Sequence, residues 1–341
     1  MVSKQFVERK KEKLIKQAIA LIKKFDKVAL FHHVFPDGDT FACSYGLCLA
    51  LKIRFPEKDI RLVGDYKALS ELFPFLKLTK DRFVENIDES WLAIVGDVAV
   101  KSRVAQFEQY QKAGQKVCFD HHQNKIDFPV NVYIHDPNYA ASALQAFEII
   151  DRLKIKLDEQ SSFYLLIGIL TDTGNFAYSL ADPKAPLYYS ELLKNVHDKT
   201  LDFFFKNFYS KSKEFLQAQV EFLQSAQLQG KVVYGVIDQK FIEKYPKLPP
   251  QRFLSMIANV KDYPIWMLFV WYLDPETGQK YWKINFRSNS INLISLANQF
   301  EGGGHARAAG GKASLEESPQ KIVQKINKLL LATKKVALGN K

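Results

Sequence analysis

Residues Val28–Asp39 read VALFHHVFPDGD, and this segment determines how the first half of the chain is interpreted. Its first four residues form a short apolar run, which is typical of a buried strand. Pro36 and Gly38 interrupt regular structure, so the polar residues around them are expected in a loop after that strand. Two later segments repeat the pattern of an apolar run followed by an acidic residue, WLAIVGD at 91–97 and VCFDHH at 117–122. The sequence therefore predicts three strands with similar polar ends.

Strand and helix patterns alternate through the first half of the chain. The expected strands are Val28–Phe31, Ile60–Val63, Trp91–Val95 and Val117–Phe119. Apolar residues three and four positions apart predict helices at 11–25, Phe41–Ile53 and Val104–Ala113. This alternation predicts an α/β fold with a doubly wound, mostly parallel sheet, in which all strands end at one ligand-binding edge.

The second half of the chain has a different organisation. From about Tyr188 to Leu228 the pattern is helical and polar. Beyond it, Ile265–Leu273 and Tyr281–Phe286 flank the hairpin signal DPETG at 274–278. These features predict a first domain at 1–187, a helical linker at 188–228 and a smaller α+β domain at 229–341.

The composition is that of a globular protein with a substantial core. The 341 residues are 47% hydrophobic and 25% charged, which excludes a disordered chain. No apolar run approaches the roughly 20 residues of a transmembrane helix, and three cysteines do not make a disulfide framework. We therefore expect a soluble, cytoplasmic protein. The net charge of +11 favours anionic partners such as nucleic acid or nucleotides, although a lysine-rich, soluble surface explains it equally well.

Histidines and aspartates follow the three strands with similar ends, and the sheet would bring them to one edge. They are His33, Asp37, Asp39, Asp97, Asp120, His121 and His122, and Asp172 is a further candidate after the apolar run Phe163–Leu170. Gly38 is expected to use its freedom in φ to turn the chain between two of these aspartates. The competing interpretation is that each residue is separately structural, as a helix cap or a core histidine.

The joint pattern favours a metal site over that structural interpretation. Carboxylates this close in sequence are costly to ionise together unless cations share their charge. Imidazole and carboxylate ligands suit Mn²⁺ or Mg²⁺ better than a thiolate zinc site. The set is large enough for two ions with one bridging carboxylate, an arrangement found in phosphatases and nucleases.

These residues resemble the motifs of the DHH phosphoesterase superfamily. Its Asp-His-His triplet stands here at 120–122, and its H-x-x-P-D-x-D motif stands at 33–39. The aspartates of the family's second and fourth motifs match Asp97 and Asp172. The sequence GGGH at 302–305 is similar to the signature of the DHH-associated C-terminal domain. Phe35 departs from the family pattern, in which many members have asparagine before the proline.

The resemblance implies a role for each matching residue. His33 and Asp37 would hold one metal ion, Asp39, His121 and Asp172 would hold the other, and Asp97 would bridge the two ions. Asp120 would orient the histidines, and His122 would support the site or assist the leaving oxygen. The implied substrate-binding residues are Arg287, Gly302, Gly303, Gly304 and His305. The implied cofactors are two divalent ions, Mn²⁺ first and Mg²⁺ as the alternative.

Within the superfamily, the size and two-domain organisation are similar to the nanoRNase/pAp phosphatase group. The resemblance implies hydrolysis of short RNA oligonucleotides to mononucleotides and removal of the 3′-phosphate of 3′-phosphoadenosine 5′-phosphate (pAp). One alternative is a stand-alone phosphodiesterase acting on cyclic di-AMP or linear pApA. An alternative of another class is a nucleotide-binding protein without catalysis. Oligomeric state, the polarity of RNA degradation and the ranking of these substrates stay open at this stage.

Overall fold

The computed structural model describes residues 2–123, 125–177, 182–275, 277–304 and 306–339, and it divides the chain into two compact units. The first unit is Met1–Ser210 and the second is Lys211–Lys341. The predicted substrate-binding residue His305 lies outside the described residues.

The first unit contains a five-stranded parallel sheet with helices on both faces. In chain order its elements are α1 (Val2–Lys24), β1 (Lys27–Phe31), α2 (Gly38–Phe41), α3 (Leu47–Arg54), β2 (Asp59–Val63), α4 (Tyr66–Leu72), β3 (Trp91–Gly96), α5 (Phe107–Lys112), β4 (Gln115–Asp120), β5 (Val132–His135), α6 (Ser142–Arg152), α7 (Glu159–Asp172), α8 (Lys184–Leu193) and α9 (Asp198–Phe208). The strand order is β2-β1-β3-β4-β5, and every described pairing is parallel. The predicted doubly wound α/β fold is confirmed.

Alternating side chains of the central strands form two cores. In β1, Val28 and Leu30 belong to a large core shared with α1, α3, α6 and α7. Ala29 and Phe31 point to the opposite face and belong to a smaller core that contains Tyr110 of α5. This alternation is what the period of two residues in a strand requires. The apolar run expected at Val28–Phe31 therefore reflects a strand covered on both faces.

Several local elements differ from the sequence-based expectation. The predicted helix Phe41–Ile53 is part of a longer helical segment, in which a π-helical stretch at Ala42–Gly46 joins α2 to α3. The helix predicted at Val104–Ala113 begins only at Phe107, because Val104 instead forms an antiparallel bridge with His33. β5 and α6 were not predicted.

The second unit is built on a mixed six-stranded sheet. Its elements are α10 (Lys213–Ser225), β6 (Gln227–Gln229), β7 (Val232–Ile237), α11 (Gln239–Lys244), β8 (Ile265–Leu273), β9 (Lys280–Ser288), α12 (Ile294–Ala297), β10 (Gly303–Gly304), β11 (Ala308–Ser314) and α13 (Pro319–Gly339). The strand order is β10-β11-β9-β8-β7-β6, with β7 and β8 parallel and the other described pairs antiparallel. The predicted hairpin is formed by β8 and β9.

The stretch predicted as a helical linker contributes to both units. α9 buries Phe204 completely in the large core of the first unit, and α10 buries Phe222 completely in the second unit. The helical content agrees with the expectation, but the boundary between the compact units falls between Ser210 and Lys211 in the chain. The boundaries at 187 and 228 stay a prediction.

Among the described residues, no helix combines the length and apolar character needed to cross a membrane.

Candidate metal centre

The candidate ligands gather at the carboxyl edge of the parallel sheet. His33 follows β1, Asp97 follows β3, and His121 and His122 follow β4. Asp37 caps the N-terminus of α2 by accepting from the backbone N–H groups of Asp39 and Thr40 at 3.1 Å each. The side chains therefore meet because parallel strands end together.

Asp172 reaches the cluster from a different kind of element. It is the last residue of α7, so the apolar run Phe163–Leu170 is a helix. This run is apolar on every side because α7 is buried almost throughout its length. The sequence indicates Asp172 as a further candidate, and a helix rather than a strand end carries it to the cluster.

The structure forms two principal groups of potential metal ligands, with Asp97 close to both. His33, Asp37 and Asp97 make one group, and Asp39, His121 and Asp172 make the other, with ligand atoms within 4.8 Å of one another in each group. A third group consists of Asp97, His121 and His122. These sets correspond to the assignment implied by the sequence motifs, and the role of each residue stays a prediction.

Distances place Asp97 between two imidazoles. Nε2 of His33 lies 3.3 Å from one Asp97 oxygen, and Nε2 of His121 lies 3.5 Å from the other. The same His121 atom is 3.4 Å from Asp172 and 3.8 Å from Asp39. Each carboxylate oxygen of Asp97 thus faces a different group of ligands, which suits a carboxylate that bridges two ions through its two oxygens.

Backbone carbonyls orient the two histidines for metal binding. Nδ1 of His33 donates to the Val34 carbonyl oxygen at 2.9 Å, and Nδ1 of His121 donates to the Tyr139 carbonyl oxygen at 3.0 Å. A carbonyl only accepts, so in the neutral ring the proton resides on Nδ1 and the Nε2 lone pair faces the carboxylates. A hydrogen bond from the second ring nitrogen to a carbonyl is typical of metal-ligating histidines, and the donor set fits divalent cations.

The N-terminus of α6 holds Asp39. The backbone N–H groups of Ser142 and Ala143 donate to the two Asp39 oxygens at 2.6 and 2.7 Å. Ala141, at the N-cap of α6, makes no side-chain cap of its own, so Asp39 caps this helix from a distant part of the chain. The helix dipole and these charge-assisted bonds favour the ionised carboxylate, but burial and repulsion from Asp97 and Asp172 outweigh them and raise the pKa of Asp39 well above its usual value.

Asp120 contacts one of the two adjacent histidines directly. Its Oδ1 accepts from Nδ1 of His122 at 2.7 Å, and Tyr133 donates to its other oxygen at 3.5 Å. The carbonyl of Tyr139 orients His121 instead. The predicted orienting role of Asp120 therefore has a direct geometric basis for His122 alone.

Gly38 is required by packing rather than by its freedom in φ, which corrects the sequence-based expectation. It lies inside α2, and a Cβ atom built on it would be 2.1 Å from Oγ1 of Thr171. The left-handed turn occurs at Phe35 instead, where φ is 55°. Close approach of α2 and α7 keeps Asp37 and Asp39 beside Asp172.

We expect Gly38→Ala to destabilise the protein by about 1–3 kcal/mol, because the added methyl group overpacks the α2–α7 contact. Displacement of α7 should also weaken metal binding through Asp172. Urea unfolding and Mn²⁺ titration would measure the two effects. The pair Gly38→Ala/Thr171→Ala provides the control, since removing the Thr171 hydroxyl and methyl groups should recover part of both losses. A fully stable Gly38→Ala variant with normal Mn²⁺ affinity would contradict the packing explanation.

Without cations, protons balance the charge of this cluster. Burial disfavours the charged form of His33, but hydrogen bonds to Asp37 and Asp97 outweigh burial and raise its pKa to about 9. Burial likewise opposes protonation of His121, yet Asp97, Asp39 and Asp172 raise its pKa to about 11. Burial raises the pKa of Asp172 to about 7, with Asp97 and Asp37 adding repulsion against attraction from His121.

These shifts predict how the metal-free protein responds to pH. The His33 pKa is higher in the folded chain than its ordinary value of 6.5, so its contribution to stability is complete below pH 6.5 and disappears as pH rises through 9. The expected loss from this buried group is on the order of 3 kcal/mol. Denaturant unfolding in chelator at pH 6.5 and pH 9 would measure it. His33→Gln should reduce the dependence, and equal stability of the unmutated chain at both pH values would contradict the prediction.

Sequence reasoning missed Arg103 beside the cluster. Its Nη2 lies 3.4 Å from Nε2 of His33, and its backbone carbonyl accepts from the Val34 N–H at 2.7 Å. Lysine and arginine together total 48, so charge alone did not distinguish this residue. The signal that could have found it is the position of Arg103 soon after Asp97, on the segment that pairs with His33.

His32 and Cys43 do not join the candidate ligand groups. His32 is buried, and its Nδ1 lies 2.9 Å from the His33 carbonyl oxygen. Cys43 is buried and its Sγ lies 3.8 Å from Asp39 Oδ1. Burial, reinforced by the nearby aspartates, raises the pKa of the Cys43 thiol well above its usual value, so it is a poor thiolate ligand.

Arg287 and the glycines, the described members of the predicted substrate-binding set, lie near one edge of the sheet of the second unit. Arg287 is on β9 opposite Ala308 of β11, and Gly303 and Gly304 form β10 on the other side of β11. At Gly302 a Cβ atom would lie 1.9 Å from the carbonyl oxygen of Gly310, so a side chain cannot fit there. The glycines therefore allow close backbone pairing, and their contact with substrate stays a prediction.

Comparisons with known proteins identify the family and support the fold. The structure defines a class of protein with two units. The first is a parallel α/β unit with a His/Asp cluster at its strand ends, and the second contains a mixed sheet. The model of the DHH family, N-terminal domain, matches residues 27–169, and the DHHA1 domain model matches residues 231–332. The chain belongs to the DHH family.

Two curated relatives resemble the chain over nearly its whole length. A protein of Mycoplasma genitalium named bifunctional oligoribonuclease and PAP phosphatase NrnA is 31% identical over 317 residues, which cover 87% of this chain and 91% of that protein. A Mycoplasma pneumoniae protein with the same name is 29% identical over 320 residues, covering 92% and 96%. The cyclic-di-AMP phosphodiesterase PdeA of Listeria monocytogenes is 28% identical over only 186 residues, covering 49% and 28%.

Among solved structures, an exopolyphosphatase-related protein from Bacteroides fragilis has a TM-score of 0.78 and is 20% identical, covering 95% of this chain and 97% of that one. At this identity the likeness supports the fold.

Proposed function

We propose that the chain is a metal-dependent phosphoesterase that hydrolyses short RNA oligonucleotides to mononucleotides and removes the 3′-phosphate of pAp. The observation that carries the proposal is the pair of ligand groups joined at Asp97. The near-full-length similarity to relatives named oligoribonuclease and PAP phosphatase supports the choice of substrate. The shorter match to PdeA gives less support to the cyclic di-AMP alternative.

We propose two divalent ions, Mn²⁺ or Mg²⁺, as cofactors. His33, Asp37 and Asp97 would hold one, and Asp39, Asp97, His121 and Asp172 would hold the other. When bound, such ions lower the pKa of water and stabilise negative charge on phosphate oxygens. The carbonyls of Val34 and Tyr139 keep the two imidazoles turned toward the ions.

The remaining residues orient the substrate and move protons. His122 makes its Nδ1–H···Oδ1 hydrogen bond to Asp120, so that in its doubly protonated form its Nε2–H would be available for transfer to the departing ribose oxygen. The Arg103 guanidinium, on the segment beside His33, is suited to a phosphate oxygen of the substrate. In the second unit, Arg287, Gly302, Gly303, Gly304 and His305 are the residues that we propose for substrate binding.

A substrate panel tests the proposal. Purified protein with Mn²⁺ would be incubated with a ribodinucleotide, a five-residue RNA, pAp and cyclic di-AMP, and the products separated by chromatography. We expect mononucleotides from both RNAs and AMP from pAp. Much faster turnover of cyclic di-AMP than of all the others would favour the cyclic-dinucleotide alternative. Nucleotide binding without turnover of any substrate would favour the non-catalytic alternative.

A further inference from the structure

Phe35 is an unusually exposed aromatic side chain beside the candidate metal centre. Its relative exposure is 92%, the highest among the exposed large hydrophobic residues described in the structure. Most phenylalanines described in this chain are buried or packed against one of its cores. Leaving an aromatic ring in water forgoes the benefit of burial, so the exposure of Phe35 is not explained by folding.

The backbone at Phe35 is also unfavourable for this residue type. Its φ of 55° lies in the left-handed region, which residues with a bulky side chain rarely adopt. Pro36 follows it, and a residue before proline favours extended conformations. Glycine or asparagine would make this turn with less strain. Phenylalanine is therefore a poor choice here on structural grounds.

The chain on both sides of Phe35 is fixed by the candidate metal centre. On one side, His33 donates to the Val34 carbonyl, and the Val34 N–H donates to Arg103. On the other side, Asp37 caps α2 and lies 3.6 Å from His33. Phe35 is thus the turning point between two candidate ligands, and its ring projects into solvent from a firmly held loop.

We propose that Phe35 provides a stacking surface for a nucleobase of the substrate, next to the phosphate that is hydrolysed. This inference rests on the proposed function, because it requires a nucleotide at the metal centre. Every base offers a flat π-face, so stacking on an aromatic ring contributes affinity without strong sequence preference. The loop that holds two metal ligands would then also position the nucleotide.

The test compares substrates with and without a base. Steady-state kinetics with Mn²⁺ would use Phe35→Asn and Phe35→Trp on a ribodinucleotide, on pAp and on a dinucleotide analogue that lacks both bases. Phe35→Asn should raise KM for the base-bearing substrates about 5- to 100-fold and leave the base-free analogue unchanged. Phe35→Trp should keep KM at or below that of the unmutated protein. Phe203, an exposed phenylalanine on α9, provides the control. Phe203→Ala should leave KM unchanged for every substrate.

Thermal unfolding distinguishes base stacking from a purely structural role of Phe35, because loss of a structural role would lower the unfolding temperature. Phe35→Asn and Phe35→Gly should unfold at the same temperature as the unmutated protein or higher, because both accept a positive φ. Equal KM changes on base-bearing and base-free substrates, or no change on either, would overturn the inference. If the unmutated protein hydrolysed neither RNA nor pAp, the proposed function itself would fail, so the two failures are distinguishable.

Discussion

Replacing Asp97 with asparagine is expected to lower hydrolysis of short RNA and pAp by at least ~10³-fold, because Asp97 lies between the two ligand groups and, in the proposed mechanism, would hold both ions. Asparagine has nearly the same shape, and it tolerates the left-handed backbone found at this position, where φ is 64°. The fold should therefore survive. Steady-state rates, Mn²⁺ binding and circular dichroism would be measured on the same preparation.

Asp262→Asn is the matched control for this substitution. Asp262 is an exposed aspartate of the second unit, and its φ of 70° lies in the same left-handed region. The control should retain full activity and metal binding. A folded Asp97→Asn variant with activity close to that of the unmutated chain would contradict the assignment of Asp97 as the shared ligand.

Removing divalent metal is expected to abolish hydrolysis and to lower the temperature of unfolding. Asp39, Asp97 and His121 are largely buried, so their mutual electrostatic energy is weakly screened by solvent. Ions that bind the folded chain and not the unfolded chain would stabilise the fold by about 2.7 kcal/mol at a concentration 100 times their dissociation constant. Activity and thermal unfolding would be followed after treatment with chelator and dialysis, and again after addition of Mn²⁺ or Mg²⁺.

The Asp97→Asn variant serves as a control for metal removal as well. Its unfolding temperature should respond much less to Mn²⁺ than that of the unmutated chain. Full activity after exhaustive chelation would refute the metal-dependent mechanism, and restoration by Mn²⁺ but not Mg²⁺ would identify the preferred ion.

Local sequence patterns were sufficient for the central part of the fold. His33, Asp97 and His121 each follow a short strand that is covered on both faces. Such a strand is a continuous apolar run, so neighbouring residues alone indicate it. Their polar ends were predictable because parallel strands present their carboxyl ends at one edge. The same patterns did not identify the element that carries Asp172, since a buried helix and a buried strand both read as uninterrupted apolar residues.

Other parts of the site depend on contacts between distant segments. Ser142 and Ala143 donate to Asp39 across 103 and 104 residues, and the carbonyl that orients His121 belongs to Tyr139. Backbone groups provide these contacts, and a backbone N–H or carbonyl is present at almost every position, so residue identities do not reveal them.

The sequence by itself determined which side chains were available for the metal centre and which strand ends present most of them. Tertiary structure decided how they are held: α6 caps Asp39, Thr171 leaves no room for a side chain at Gly38, and the turn at Phe35 exposes its ring. The physical reason is that strand periodicity is a property of neighbouring residues. Orientation and close approach arise only when segments far apart in the chain pack together.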